Sequence, residues 1–470
     1  MNWIRNNAVW LFLAFYAVFA CSVILSFTGT GDTGDSVLHY LYARSAPIHP
    51  ELYLNHWAKP VFTLFASPFA QFGFDGIKVF NSLVVLLTLY LTHKAVVGLQ
   101  LKRPLIALLI IVCSPLLIVL TFSGLTEPLF ALFTIWALYL VVKQRLLLAC
   151  IVISFLPFVR SEGLIVISAF GFYFLLEKKW KMLPWLLFGH VVYSLIGMFY
   201  YEDILWVFTK IPYASTGSIY GKGDLLHFVK QLPYVIGIPS FILLCVGTIK
   251  LLFDLIQSKF HSEIHAIVLY GFLSYFVAHS LFWYFGIFNS MGLNRVLIGV
   301  IPFIAIIGLI GANTIIDLAR NNRKILIAVQ FFIVGIVVVF PFTSNPAAVH
   351  WSRDMNITGE QKAAQEICEP LRAYGGYGTD NERLVYHAPY LSIVLGVDHF
   401  NSTYRSDMNL DIIQNYLREG DVIIWDSWFS VVDAGVPKKM LEDHPNLKRI
   451  STSKGKLRDL EIEYVMYVYE

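Results

Sequence analysis

The sequence predicts an α-helical polytopic membrane protein of about eleven transmembrane helices, followed by a C-terminal extracytoplasmic α/β domain. Three observations predict it. Of the 470 residues, 57% are hydrophobic and only 14% charged, with a mean hydropathy of +0.64, whereas soluble domains are roughly a quarter charged. Apolar runs long enough, or nearly long enough, to cross a bilayer recur up to Phe342. Beyond that point the chain turns polar. The domains are therefore expected at 1–342 and 343–470.

The N-terminal run MNWIRNNAVWLFLAFYAVFACSVILSF is long for a signal peptide and lacks a clean small-residue cleavage site, so it is expected to remain as the first helix. Further spans are expected near 77–98, 104–121, 127–142, 146–159, 163–176, 183–201, 234–253, 265–285, 296–317 and 325–342. Several are short for a full crossing, notably the pair around Arg160. Basic residues fix the orientation. Lys102 and Arg103, Lys143 and Arg145, Lys178, Lys179 and Lys181, and Arg320, Arg323 and Lys324 all fall on one side, which is then cytoplasmic. The loop at 31–60, the Thr126–Glu127 turn, Arg160–Gly163, the 202–233 loop and Asn289–Arg295 fall outside.

In the C-terminal part, Thr358–Leu371 carries a helical pattern, with a second helix at 409–418. Leu384–Tyr386 and Asp421–Trp425 read as buried strands, Leu447–Thr452 and Glu461–Tyr469 as closing strands. No glycine-rich phosphate loop or nucleophile elbow is present, and a lid or support is the plainest role for this domain. Five scattered cysteines form neither a disulfide framework nor a paired metal spacing. A net charge of +3 with no basic tract argues against nucleic acid as a partner.

The stretch Gly31–Pro60 stands out, because titratable groups held against a membrane usually mark a functional site. It carries Asp32, Asp35, His39, His56 and Lys59. The same face collects Glu127 from SGLTEPLF, Arg160 and Glu162 from FVRSEGL, Tyr220 and Lys222 from SIYGKGD, and Arg295 from GLNR, with His279 in a nearby span. A tuned carboxylate can act as general base, and arginine and lysine suit an anionic phosphate. Each residue also has a plainer reading. Asp35 could cap a helix starting near Ser36, and Asp32 could form the GDTGD turn. Glu127 could favour a helix dipole, Arg160 and Glu162 could only pair with each other, and Lys59 could snorkel. Tyr220, Lys222 and Arg295 could meet lipid headgroups, and His279 could be a satisfied core histidine.

These segments, taken in order, resemble the GT-C glycosyltransferases, which use polyprenyl-phosphate-linked sugars, as in protein O-mannosyltransferases and the lipid A aminoarabinose transferase. The resemblance covers about 1–340 and rests on GDSVLHY, HWAKPVFTLFASPFAQFG, TEPLFALF, VRSEG, YGKGDLLHFVKQLP and NRVLIGVIP. The chain departs from the family's frequent Asp-Glu pair, since Ser36 follows Asp35, leaving Asp35 or Asp32 as the base. The resemblance implies a hexosyl- or mannosyltransferase-like enzyme that inverts at the anomeric carbon. Arg160, Lys222 and Arg295 would steady the leaving lipid phosphate, while His39 and Glu127 would orient the acceptor or hold a metal. No cofactor is required, and a divalent metal is allowed. The expected partners are a polyprenyl-phosphate-linked sugar, an acceptor glycan, lipid or protein, and membrane lipids. A bacterial cytoplasmic membrane is the expected location, with the ER membrane as alternative. A flippase for a lipid-linked sugar and an oligosaccharide polymerase or ligase are the competing functions; a flippase should show repeated halves and midplane charges, and the sequence shows neither.

Overall fold

The computed structural model describes residues 2–212, 217–218, 220–373, 383–457 and 460–470. The chain folds as two compact units. The first runs through Ser26 and resumes over Pro50–His350; the second joins Phe27–His49 to Trp351–Glu470.

Apolar helices build the first unit. Among the described residues seven are long and apolar enough to cross a membrane: Asn7–Ser26, Phe74–Gly98, Trp180–Tyr201, Ile238–Ile256, Glu263–Phe285, Asn294–Leu318 and Arg323–Phe342. Four shorter apolar helices accompany them: Pro60–Ala70, Glu127–Val142, Leu146–Val159 and Gly163–Leu176. The stretch expected as one span at 104–121 is two helices, Leu105–Val112 and Pro115–Thr121. Pro115 has no backbone N–H to continue the first helix, so Ser114 turns extended and a new helix starts. Pro60–Ala70 was not expected as a helix, because a charged loop precedes it and Pro68 interrupts it.

Asn294–Leu318 is the buried axis of this unit and lies closest to Ile238–Ile256. Glycine makes the approach. A Cβ on Gly247 would meet the Ile307 carbonyl oxygen at 1.9 Å, and one on Gly311 would meet that of Leu243 at 2.0 Å. Small residues let helix backbones touch where lipid gives no hydrophobic drive to associate. At the end of this axis Asp317 accepts hydrogen bonds from Lys102 Nζ at 3.0 Å and Arg103 Nη2 at 3.1 Å. Two of the basic residues that set the predicted orientation thus share one carboxylate.

The second unit is built on a five-stranded sheet. Its strands are β1 (Leu384–Tyr386), β2 (Arg405–Asp407), β3 (Val422–Asp426), β4 (Leu447–Leu457) and β5 (Leu460–Tyr469), in the order β2-β1-β3-β5-β4. The first three are parallel; β5 runs antiparallel to β3 and to β4. Val385, Ile423, Trp425, Val465 and Tyr467 fill one side of the sheet with Met408, Val436 and Leu441. Helix Gly359–Ala373 packs on β4 and β5 and comes close through two glycines, Gly359 and Gly455. β2 escaped the sequence reading because Arg-Ser-Asp has no apolar alternation; its place is set by pairing with β1. The expected helix at 409–418 closes earlier, at Asn415.

The early segment Phe27–His49 is pinned inside this unit. Gly29 N–H donates to the Met355 carbonyl at 2.8 Å, His49 Nε2 lies 2.8 Å from Asp398 Oδ2, and Tyr42 packs on Phe400 with ring centroids 4.5 Å apart.

Replacing Gly311 by leucine should drive a branched side chain into the Leu243 backbone. Overpacking of this kind costs about 1–3 kcal/mol or more. The expected outcome is a marked drop in monodisperse protein on size-exclusion chromatography of detergent extracts, with Gly335→Leu, which meets open space, behaving as wild type.

Candidate functional site

The first unit carries a buried ionic cluster at the ends of three helical segments. Pro128 at the first turn starts helix Glu127–Val142 and leaves Glu127 at its N-terminus, fully buried. Asn81 braces the preceding turn, its amide donating to the carbonyls of Ser123 at 2.7 Å and Leu125 at 3.1 Å. Arg160 sits in extended backbone between Leu156–Val159 and Gly163–Leu176. Its Nη1 donates to Glu127 Oε1 at 2.7 Å and to Thr126 Oγ1 at 3.2 Å, and its Nε donates to Glu162 Oε1 at 2.7 Å. Arg295, on the turn Asn294–Val300, brings its Nε within 3.3 Å of the same Glu127 oxygen. One carboxylate oxygen therefore serves two guanidinium groups, while Glu127 Oε2 has no hydrogen-bond partner among the described residues.

Charge dictates the protonation here. Burial would lower the Arg160 proton affinity, but Glu127 and Glu162 together raise it above its ordinary value. Burial would likewise raise Glu162, yet Arg160, His279 and Lys59 hold it down to about 2. Glu162 therefore stays a carboxylate. Lys59 is buried and adopts a left-handed backbone, φ 65°, at the start of Pro60–Ala70. A non-glycine residue held there needs its surroundings to enforce it. Burial, with help from Lys59, pushes His56 down to about 4. It is a packed neutral ring, 4.9 Å from Trp206 and 6.1 Å from Phe158 between centroids.

The predicted residues thus divide. Glu127, Arg160, Glu162 and Arg295 come together, with Lys59 in electrostatic reach of Glu162. Tyr220 and Lys222 are exposed and are not among the side chains buried in this cluster. Sequence reasoning missed Tyr275, which is buried, coupled to Arg160 and donates to the Val296 carbonyl at 3.2 Å; an aromatic among so many carries no local signal. His279 packs against Tyr275 at 4.5 Å, and its Nε2 has no hydrogen-bond partner among the described residues.

Asp32, Asp35 and His39 belong to the second unit. Helix Asp35–Ser45 begins after Gly34, and Asp32 caps it: Asp32 Oδ1 accepts from Ser36 N–H at 2.7 Å and Gly34 N–H at 3.1 Å. The capping role considered for Asp35 therefore falls to Asp32. Asp35, half-buried in the first turn, feels Asp433, and His39 is buried one turn later. The loop is held from the C-terminal side: Gln361 Nε2 donates to Thr30 Oγ1 at 2.8 Å, and Thr30 Oγ1 donates to the Asp32 carbonyl at 2.7 Å. Thr358 and Gln361 form a reciprocal box, Thr358 N–H to Gln361 Oε1 at 2.9 Å and Gln361 N–H to Thr358 Oγ1 at 3.1 Å. The spacing TGEQ was the one signal that could have flagged it. Beside it lies Glu360, buried against Thr33, Tyr464, Asp426 and Asp32. Burial raises it to about 7, with the two aspartates adding to the effect. Burial raises Asp426 as well.

Among the described residues no three His, Cys, Asp or Glu side chains gather as a metal site. Glu127, a metal candidate on sequence grounds, spends one oxygen on two arginines.

Compared with known proteins, the chain matches no family model and no curated protein. Solved structures do match. ArnT from Cupriavidus metallidurans in the apo state superposes with a TM-score of 0.60 at 11% identity, covering 98% of each chain. The same protein bound to undecaprenyl phosphate superposes with a TM-score of 0.56 at 11% identity, covering 97% of this chain and 98% of that one. The fold is ArnT-like.

A carboxyl group whose proton affinity rises on folding stabilises the fold while protonated. The Glu360 contribution is therefore full below about pH 4.5 and is lost as pH climbs through about 7. Melting of the full-length protein should fall between pH 5 and pH 8, and Glu360→Gln should flatten that dependence.

Proposed function

We propose that the protein is a membrane glycosyltransferase that takes its sugar from a polyprenyl-phosphate donor. The single observation that carries this reading is the pair of arginines, Arg160 and Arg295, held on one buried carboxylate. Two guanidinium groups fixed before substrate arrives are suited to the charge that develops on a departing phosphate. Likeness in fold to a protein solved with undecaprenyl phosphate over nearly the whole chain supports the same donor class.

In this reading a hydroxyl or amine of the acceptor (glycan, lipid or protein) attacks the anomeric carbon of a hexosyl or mannosyl-type sugar. The bond from that carbon to the phosphate oxygen breaks on the opposite face, and its electron pair leaves with the phosphate. One displacement inverts the configuration. The acceptor's proton passes to Asp35, because the Asp32 carboxylate is engaged with the backbone of the helix start. Arg160 and Arg295 hold the phosphate, Lys59 and Glu162 set the charge around Arg160, and Glu127 fixes both arginines. His39, Tyr220 and Lys222 are assigned to acceptor or headgroup contact. The Arg160 turn faces the extracytoplasmic side of a bacterial cytoplasmic membrane, since Lys143, Arg145, Lys178, Lys179 and Lys181 lie at the opposite helix ends.

The test is transfer in proteoliposomes supplied with an undecaprenyl-phosphate-linked sugar, with products read by mass spectrometry. Asp35→Asn should lower turnover by at least about 100-fold, as loss of a general base does, with melting unchanged. Full activity in that variant removes Asp35 as base; sugar accumulating across the membrane without release of undecaprenyl phosphate identifies a flippase instead. Arg160→Ala should instead lower the amount of folded protein, because removing one partner of a buried ion pair costs about 3–5 kcal/mol. Arg160→Lys keeps the charge but loses the fork, so it should retain more folded protein and still transfer poorly.

A further inference from the structure

At the end of helix Leu146–Val159 opposite Arg160 lies a cavity of about 730 Å³. The turn before that helix and the turn after Gly163–Leu176 form its rim. Four cations line it: Arg145, Lys178, Lys179 and Lys181, together with Leu147 and Trp180. Its lining includes no carboxylate. None of the four cations makes an ion pair among the described residues. On the same side Lys102 and Arg103 share Asp317 and Lys250 is paired with Asp254, while Lys143, Arg320, Arg323 and Lys324 also lack an ion pair among the described residues. What sets the four apart is that they line one cavity beside Leu147 and Trp180.

The rim is firmly held. Segment Trp180–Leu187 packs on the Leu146–Ser154 helix, and beyond it Gly189 N–H donates to Ser154 Oγ at 2.9 Å at the far end of that helix. A Cβ on Gly189 would meet the Ser154 carbonyl oxygen at 2.3 Å, and Cys150 Sγ reaches the Met182 carbonyl at 3.6 Å. Leu147 and Trp180 are exposed at the mouth. Leucine and tryptophan beside clustered lysines suit the boundary between acyl chains and headgroups, where a tryptophan ring is at home.

We propose that this cavity binds the headgroup of an anionic phospholipid, its phosphate among Arg145, Lys178, Lys179 and Lys181 and its acyl chains along Leu147 and Trp180. Like charges held together at a membrane surface repel unless an anion joins them, and no protein carboxylate does so here. The headgroup of a membrane lipid supplies that charge at the right depth, whereas a soluble anion would leave the exposed leucine and tryptophan unused. The site is separate from the Arg160 cluster and does not rest on the transfer reaction.

The experiment uses full-length protein in phosphatidylcholine nanodiscs doped with phosphatidylglycerol. Retained lipid is counted by native mass spectrometry after extraction. Lys179→Gln with Lys181→Gln should weaken phosphatidylglycerol retention by about 30-fold, as expected for two charges near a membrane surface. Arg320→Gln with Lys324→Gln, an equal loss of charge that lines no part of the cavity, should retain it as wild type does. Unchanged melting in pure phosphatidylcholine verifies that both variants fold. Equal loss in both pairs would reduce the effect to diffuse surface attraction and overturn the site. Displacement by glycerol 3-phosphate as readily as by lipid would overturn the lipid assignment, as would retention of undecaprenyl phosphate in place of phosphatidylglycerol.

Discussion

A single carboxylate, Glu127, organises the polar part of the first unit. It is buried without access to water, and an isolated charge there would be untenable. Two arginines from separate segments make it tolerable, Arg160 at 2.7 Å and Arg295 at 3.3 Å. The dependence is mutual, because Arg160 is itself removed from water and answered by Glu162 on its other side. Such ion networks contribute little net stability against an apolar core of the same volume. They do fix geometry. Helix Glu127–Val142 cannot turn about its axis, and the breaks at Arg160 and Asn294–Val300 cannot straighten, without stranding a charge.

That constraint explains the short helices. Leu146–Val159 and Gly163–Leu176 are well below the length of a full crossing. The interruption between them delivers Arg160 and Glu162 to Glu127. Longer helices would have carried those charges past it or left them among lipid tails, where they are costly. The glycine approaches of Gly247 and Gly311 serve the same end from behind, since they set the depth of Asn294–Leu318 and so the placement of Arg295 at its start.

The sequence exposed the scaffold more readily than the site. Apolar runs are a property of composition, so the helices at 74–98, 238–256 and 323–342 were legible, and so were the strands around Val422–Asp426 and Leu460–Tyr469. Charges inside such a background draw the eye, which is why Glu127, Arg160, Glu162 and Arg295 could be gathered before any fold was known. Partnerships across long separations were not legible. Tyr275 carries no signal in a chain that is 16% aromatic, and Gln361 looks like any other cap of an amphipathic helix until Thr30 is placed beside it. Asp32 and Asp35 illustrate the limit at short range. Asp32 precedes the helix and Asp35 is its first residue, and only the backbone geometry assigns the capping to Asp32.

Pinning Phe27–His49 within the second unit has a temporal consequence. Thr30 and Gln361, 331 residues apart, share a hydrogen bond, so the early loop cannot reach its final form until the last quarter of the chain has been made. At ordinary rates of synthesis that interval is roughly twenty seconds to a minute. Throughout it a strongly polar segment waits beside a finished first helix with its binding partner still unborn. Maturation of the loop therefore waits on the ribosome, and a message broken before the Gln361 codon would yield the helices of the first unit beside a Thr30–Asp32 turn that lacks its partner.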